Sequence, residues 1–255
     1  MSESTTKQIQ YRELILDAKR IYSTIDQSAP VYLSWCDDCT EQINLWSYWQ
    51  GSLTATIMVV GQDWGCPEES TVMENIRAIN DGKTDLYQYD KHNPTDCNLV
   101  ELFASIGIDA GKHDERLFFT NFILGYRNKG LTGGLKASWF RECEPLFRRL
   151  VEIIDPAIVI CLGRNTFHAV MRAMGQRFRI GIYNRLITSD RNPVSIDGRL
   201  FFAEAHCGYF GTVNRNRRSD QHGLDLQKED WKRIKAAIER LPGGLPKGNG
   251  SDDCR

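Results

Sequence analysis

"IMVVGQDWG" occupies residues 57–65. Four apolar residues run unbroken into Gly61, and a Gln–Asp pair, a Trp and a second Gly follow. A short apolar run bounded by glycine reads as a strand buried on both faces. "AIVICLG" (157–163) repeats the pattern after a break at Asp155-Pro156. The expected strands are Ala55–Val60, Leu117–Thr120, 157–163 and Leu200–Ala205. Helical patterns lie between them, so the expected fold class is α/β. The architecture that follows is a three-layer α/β/α sandwich around a short, mainly parallel four-stranded sheet.

The helical segments work outward from these strands. Residues 6–28 carry a broken helical period through Tyr11, Leu14, Ile15, Ala18 and Tyr22. Leu99–Ile106, Ser138–Ile154, Asn165–Met174 and Gln227–Leu241 are further expected helices. Pro67–Pro94 reads as loop with one short helix at most. Three units follow: a helical extension (1–30), a main domain (31–241) and a tail (242–255) whose composition predicts disorder.

The chain has 255 residues, 41% of them apolar, which suits one core of ordinary size. No apolar run approaches the roughly 20 residues of a membrane span. The first ten residues, MSESTTKQIQ, lack an apolar signal segment. A cytoplasmic protein is expected, with its eight cysteines reduced. The net charge of −1 argues against a bulk electrostatic coat for nucleic acid, though local basic clusters remain.

In parallel sheets, ligands bind at the carboxyl ends of strands. Three polar residues stand there: Asp63, Asn121 and His206. Taken singly, each has an ordinary reading. An Asp in a strand-to-helix turn caps or forms an Asx-turn, and Asn and His at strand ends are mostly turn or satisfied polar residues. There is no GxxxxGK[ST], HExxH, GxSxG or GxGxxG.

Four segments, in order, resemble the uracil-DNA glycosylase superfamily. "VVGQDWG" (59–65) is similar to its first motif, GQDPY in one branch and GEAPG in the iron–sulfur branch. "FFTNFILGYRN" (118–128) resembles the segment whose Asn closes on the flipped base. Residues 140–171 resemble the helix–strand–helix of the iron–sulfur branch. "FAEAHCGYF" (202–210), followed by "NRNRR" (214–218), stands where the family has HPS or HPAY.

The resemblance implies a monofunctional DNA glycosylase, whose partner is DNA and whose product is an abasic site. Asp63 would hold the attacking water, and His206 would donate to the departing base. Asn121 would pair with a pyrimidine edge, since an amide carries one acceptor and two donors. Gly61, Gln62, Trp64 and Gly65 would line the base pocket, with Tyr89 among the rings able to stack on the base. Arg215, Arg217 and Arg218 would face phosphates.

Three departures stand out. Gly65 replaces the Tyr of one branch, leaving room for a substituent on carbon 5 of the base. A modified pyrimidine, for example in phage DNA, is therefore an expected substrate beside uracil. Cys36, Cys39 and Cys143 match the first, second and fourth cluster ligands of the iron–sulfur branch, but the third position falls near Gly125. No cofactor is required for the chemistry; a structural iron–sulfur cluster, a zinc ion and plain buried thiols stay open. Cys207-Gly208 replaces Pro-Ser. Two rival functions share the scaffold: a module that binds a base or single strand without cutting, and hydrolysis of free nucleosides.

Overall fold

The computed structural model describes residues 3–25, 27–29, 31–35, 39–40, 44–65, 71–83, 89–128, 135–179, 181–217 and 222–241. The chain begins α1 (Glu3–Ser23), β1 (Leu33–Ser34), β2 (Ile57–Gly61), α2 (Thr71–Asn80), α3 (Pro94–Ser105), β3 (Leu117–Asn121), β4 (Tyr126–Arg127) and α4 (Ala137–Ile154). It continues β5 (Ile158–Leu162), α5 (Arg164–Ala173), α6 (Ile182–Leu186), β6 (Val194–Ile196), β7 (Arg199–Glu204), α7 (Tyr209–Asn216) and α8 (Gly223–Ile238).

The main sheet runs β3-β2-β5-β7-β6. The first four strands pair in parallel, and β6 adds antiparallel to β7. The sheet therefore has five strands, not the four expected. The extra strand comes from a hairpin at Asp197-Gly198, where both residues have positive φ (50° and 79°). That is the two-residue turn an Asp-Gly dipeptide favours. Val194–Ile196 is short and only partly buried, so it carries little apolar signal. A second, two-stranded sheet joins β1 to β4.

Helices cover both faces of the sheet. On β3, Phe118 meets Tyr11 of α1, and the next residue, Phe119, stacks on Phe103 of α3. Alternation along a strand sends successive side chains to opposite faces. Phe103 in turn packs edge-on to Trp231 of α8, while Phe122 packs on Phe147 of α4. Thus α1 and α4 lie on one side, and α3 and α8 on the other. Tyr11, Leu14, Ile15, Ala18 and Tyr22 of α1 belong to the same buried cluster as the sheet.

Several helices start earlier than expected. Helix α3 begins at Pro94, because Asn93 accepts from the Thr95 N–H at 2.9 Å and Pro94 takes the first helical turn. Helix α4 ends at Asp155, in the left-handed region (φ 54°), just before Pro156. Helices α6 and α7 were not foreseen. The tail (242–255) lies outside the described residues. Among the described residues, no helix is long and apolar enough to cross a membrane.

Candidate active site

Strand register builds the site. Gly61 ends β2 level with Asn121 at the end of β3. Pairing continues past the strands, with Phe122 N–H donating to Gly61 O (2.9 Å) and Ile123 N–H to Gln62 O (3.1 Å). A Cβ on Gly61 would fall on Oδ1 of Asn121, so the glycine makes room for that amide. Among the described residues, no hydrogen bond occupies the Asn121 side chain.

Asp63 is partly buried on the turn that follows. Its Oδ1 accepts from the Gly65 N–H at 3.2 Å, an Asx-turn. Gly65 sits at φ 64°, so the turn itself calls for glycine. The space expected at this position therefore has a backbone cause as well. Asp63 Oδ2 lies 3.2 Å from Nη2 of Arg127, whose side chain is 5% exposed. The Arg127 N–H also donates to Gly65 O at 3.0 Å. Sequence reasoning missed Arg127 as a partner of Asp63, although it lies within the 118–128 segment. The signal was weak, because β4 has only two residues and shows no period.

His206 follows β7 and reaches the same end of the sheet. Its Nδ1 accepts from the Gly208 N–H at 2.9 Å. A neutral ring then carries its proton on Nε2, which is left as a donor. Burial lowers the His206 pKa, and the negative charge of Asp63 opposes that shift. The ring therefore stays neutral around pH 7. Gln227 of α8 anchors the backbone, its Nε2 donating to His206 O at 3.0 Å. The Cys207 carbonyl accepts from Asn98 of α3 at 2.7 Å, so two helices hold the turn that replaces Pro-Ser.

The other expected site residues divide. Gln62 accepts from Asn165 of α5 at 3.1 Å and stays at the strand ends. Trp64 packs edge-on against Tyr48, 6.2 Å between centroids, with its buried Nε1 unpartnered among the described residues. Tyr89 stacks on Trp49 at 5.6 Å, and Trp49 packs on Phe119. That stack places Tyr89 in the α3-side packing, partly buried. Arg215 is corrected. Its guanidinium makes a two-point pair with Asp230 (2.7 and 3.0 Å) and is only 17% exposed. It ties α7 to α8 and is not available to phosphate. Arg217 is exposed, and Arg218 lies outside the described residues. Sequence reasoning also passed over Tyr209 and Phe210, which are 70% and 78% exposed just after His206.

Of the residues expected to hold a cluster, Cys39 and Cys143 are among the described residues. Cys143 is buried, with its Sγ 3.0 Å from the Tyr22 hydroxyl. Burial pushes its thiol pKa up. At Gly125, a Cβ would meet the ring of Tyr22 within 2.5 Å. Trp35 stacks on the same ring at 6.3 Å. Cys39 is disulfide-bonded, against the expectation that all the cysteines are reduced. Cys36 lies outside the described residues. Among the described residues, no three His, Cys, Asp or Glu side chains group as metal ligands. Tyr22, on which Trp35 stacks, fills the space between Cys143 and Gly125.

No protein-family model matches the chain, and no curated protein matches it.

Proposed function

We propose that the chain is a monofunctional DNA glycosylase of the uracil-DNA glycosylase superfamily. It flips a pyrimidine nucleotide out of the stack and hydrolyses its N-glycosidic bond, leaving an abasic site. The observation that carries this reading is the meeting of Asp63, Asn121 and neutral His206 at the ends of parallel strands. A cytoplasmic location accords with a DNA substrate.

The roles follow from the groups. Asn121 offers an uncommitted amide to the base edge. His206 Nε2–H donates to the base oxygen as negative charge develops there. A fixed donor in a desolvated pocket is worth roughly 3 kcal/mol in such a role. Asp63 orients the attacking water and faces the developing positive charge on the sugar. Asp63, Asn121 and His206 offer no amine nucleophile, so water is the nucleophile in this reading. Tyr209 and Phe210 enter the stack that the nucleotide leaves, and Arg217 faces a phosphate. Flipping costs a few kcal/mol, which such insertion offsets.

One observation favours a second reading, a module that binds a flipped base without cutting it. Arg127 stands against Asp63, and a cation there competes with the role of stabilising a cationic sugar. An abasic-site assay separates the two. DNA carrying uracil, 5-hydroxymethylcytosine or glucosylated cytosine is incubated with the protein and then treated with alkali. Strand breaks that depend on Asp63 are expected on at least one substrate. Tight binding with no breaks on any of them would leave the binding module.

A further inference from the structure

Between α4 and α5 lies a cavity of about 440 Å³. That falls in the roughly 300–1,000 Å³ range of small-molecule sites. Leu135 and Phe140 form apolar wall, and Arg141, His168 and Arg172 supply the polar wall. Among the described residues, no carboxylate lines it. Glu144 pairs with Arg172 Nε at 2.8 Å, which leaves the other guanidinium nitrogens outside that pair. His168 Nε2 is buried and has no partner among the described residues. Arg164 and Arg172 both bear on this ring, and with burial they hold it neutral.

The cavity adjoins the candidate site. Asn165 lines it, and the same side chain donates to Gln62, the neighbour of Asp63. A ligand here sits one side chain away from the turn that carries Asp63. Its chemistry has two parts: an anion for the two arginines, and a flat apolar face for Phe140 and Leu135. A paired base in a duplex has its faces stacked and its edges used. The face is free only in an unpaired nucleotide.

We propose that this cavity binds an unpaired nucleotide of the DNA strand that occupies the candidate site, with its phosphate on Arg141 and Arg172 and its base against Phe140 and Leu135. The proposal rests on the glycosylase reading and adds a strand preference to it: single-stranded or locally opened DNA over closed duplex. His168 Nε2 supplies one polar contact to the base edge.

The test is binding, measured by fluorescence anisotropy of a short labelled oligothymidylate across a salt series. The full chain is compared with R141S/R172S and with K232S/K235S. The control pair removes the same charge from exposed positions on α8, in the opposite layer. Both arginines are exposed, and matching melting curves check folding. Losing this single-strand phosphate contact should reduce the salt slope by about 0.7 and weaken low-salt affinity at least about tenfold. The control should keep the parent slope, and duplex affinity should change less than single-strand affinity.

An unchanged slope in R141S/R172S, an equal loss in the control, or displacement of the oligonucleotide by thymidine monophosphate at matched concentration would each overturn the proposal. Excision is scored separately. If the parent makes no abasic sites but R141S/R172S loses single-strand binding, the glycosylase reading fails and the cavity assignment stands. If excision proceeds and the slope is unchanged, the cavity assignment fails alone.

Discussion

At the ends of β2, β3 and β7, three polar side chains from distant parts of the chain come together. Where α1 meets α4, Cys143 of the expected ligand set faces the Tyr22 hydroxyl, and the same tyrosine ring fills the space beside Gly125. The ligand expectation came from the resemblance alone, whereas the strand-end expectation also followed from the parallel-sheet pattern. The difference lies in what each needs from the fold. Convergence at strand ends needs only parallel register, and backbone pairing enforces that. A metal cage needs every ligand at once, from loops and helices with no common register. When one ligand position is a glycine, the vacated volume must still be filled, because interiors tolerate few voids. Tyr22 does so.

The comparison breaks most sharply at Asp63. Asp63→Asn should lower excision by at least about 10³-fold, about 4 kcal/mol of transition-state stabilisation. It should also destabilise the fold by roughly 3 kcal/mol, because the mostly buried Asp63–Arg127 ion pair is broken. Adding Arg127→Met should recover most of that stability and none of the activity. Denaturant melts and abasic-site assays on the single and double variants read the two effects apart. If the double variant regains excision, Asp63 holds the fold and is not the group acting on water.

Tyr22→Ala probes the other region. It opens a cavity beside Cys143 and Gly125 and should cost about 3–5 kcal/mol. Tyr22→Phe removes only the hydroxyl facing Cys143, at about 1 kcal/mol. Neither variant should change excision at a temperature where it stays folded. Loss of activity in Tyr22→Phe with an unchanged melt would mean the two regions are coupled.

These two regions also mark what a linear chain reveals. The apolar runs of β2 and β5 were readable because both faces of a parallel strand are buried. Their polar ends were readable for the same reason. Arg127 and Tyr22 were not. Each acts through a contact far away in sequence: 64 residues separate Arg127 from Asp63, and 121 separate Tyr22 from Cys143. No local period encodes such pairs. Helix α3 starts before the expected Leu99 because Asn93-Pro94, the end of the expected loop, caps the helix and opens its first turn. Arg215 looked like a surface cation because nothing near it in sequence announces Asp230.

Gly61→Ala sharpens the comparison from the side of the site. The new methyl falls on Asn121 Oδ1, so the amide must turn away from the base. Excision should drop by about 10- to 100-fold, mostly through weaker base binding, equivalent to about 1.4–2.8 kcal/mol. A wild-type rate would place Asn121 outside the base pocket.

The smallest effect concerns pH, and it belongs to the site side alone. Glu204 ends β7, two residues before His206, and is 1% exposed. Burial pushes its pKa up to about 8, with Arg233, 3.7 Å away, pulling the other way. The unfolded chain loses that proton near 4.5. Between the two values the native state binds the extra proton, so stability falls as pH rises from about 4.5 to about 8, and levels off above. Glu204→Gln mimics the protonated form and keeps an acceptor for Asn192, which donates to Oε1 at 3.1 Å. Its melting temperature should therefore vary less across this window than the parent's, by on the order of 2–4 °C for each kcal/mol removed. Tyr22→Phe should keep the parent's slope, because Tyr22 belongs to the other region. If Glu204→Gln retains the full slope, the proton resides elsewhere, and β7 enters the site without a buried titrating group behind it.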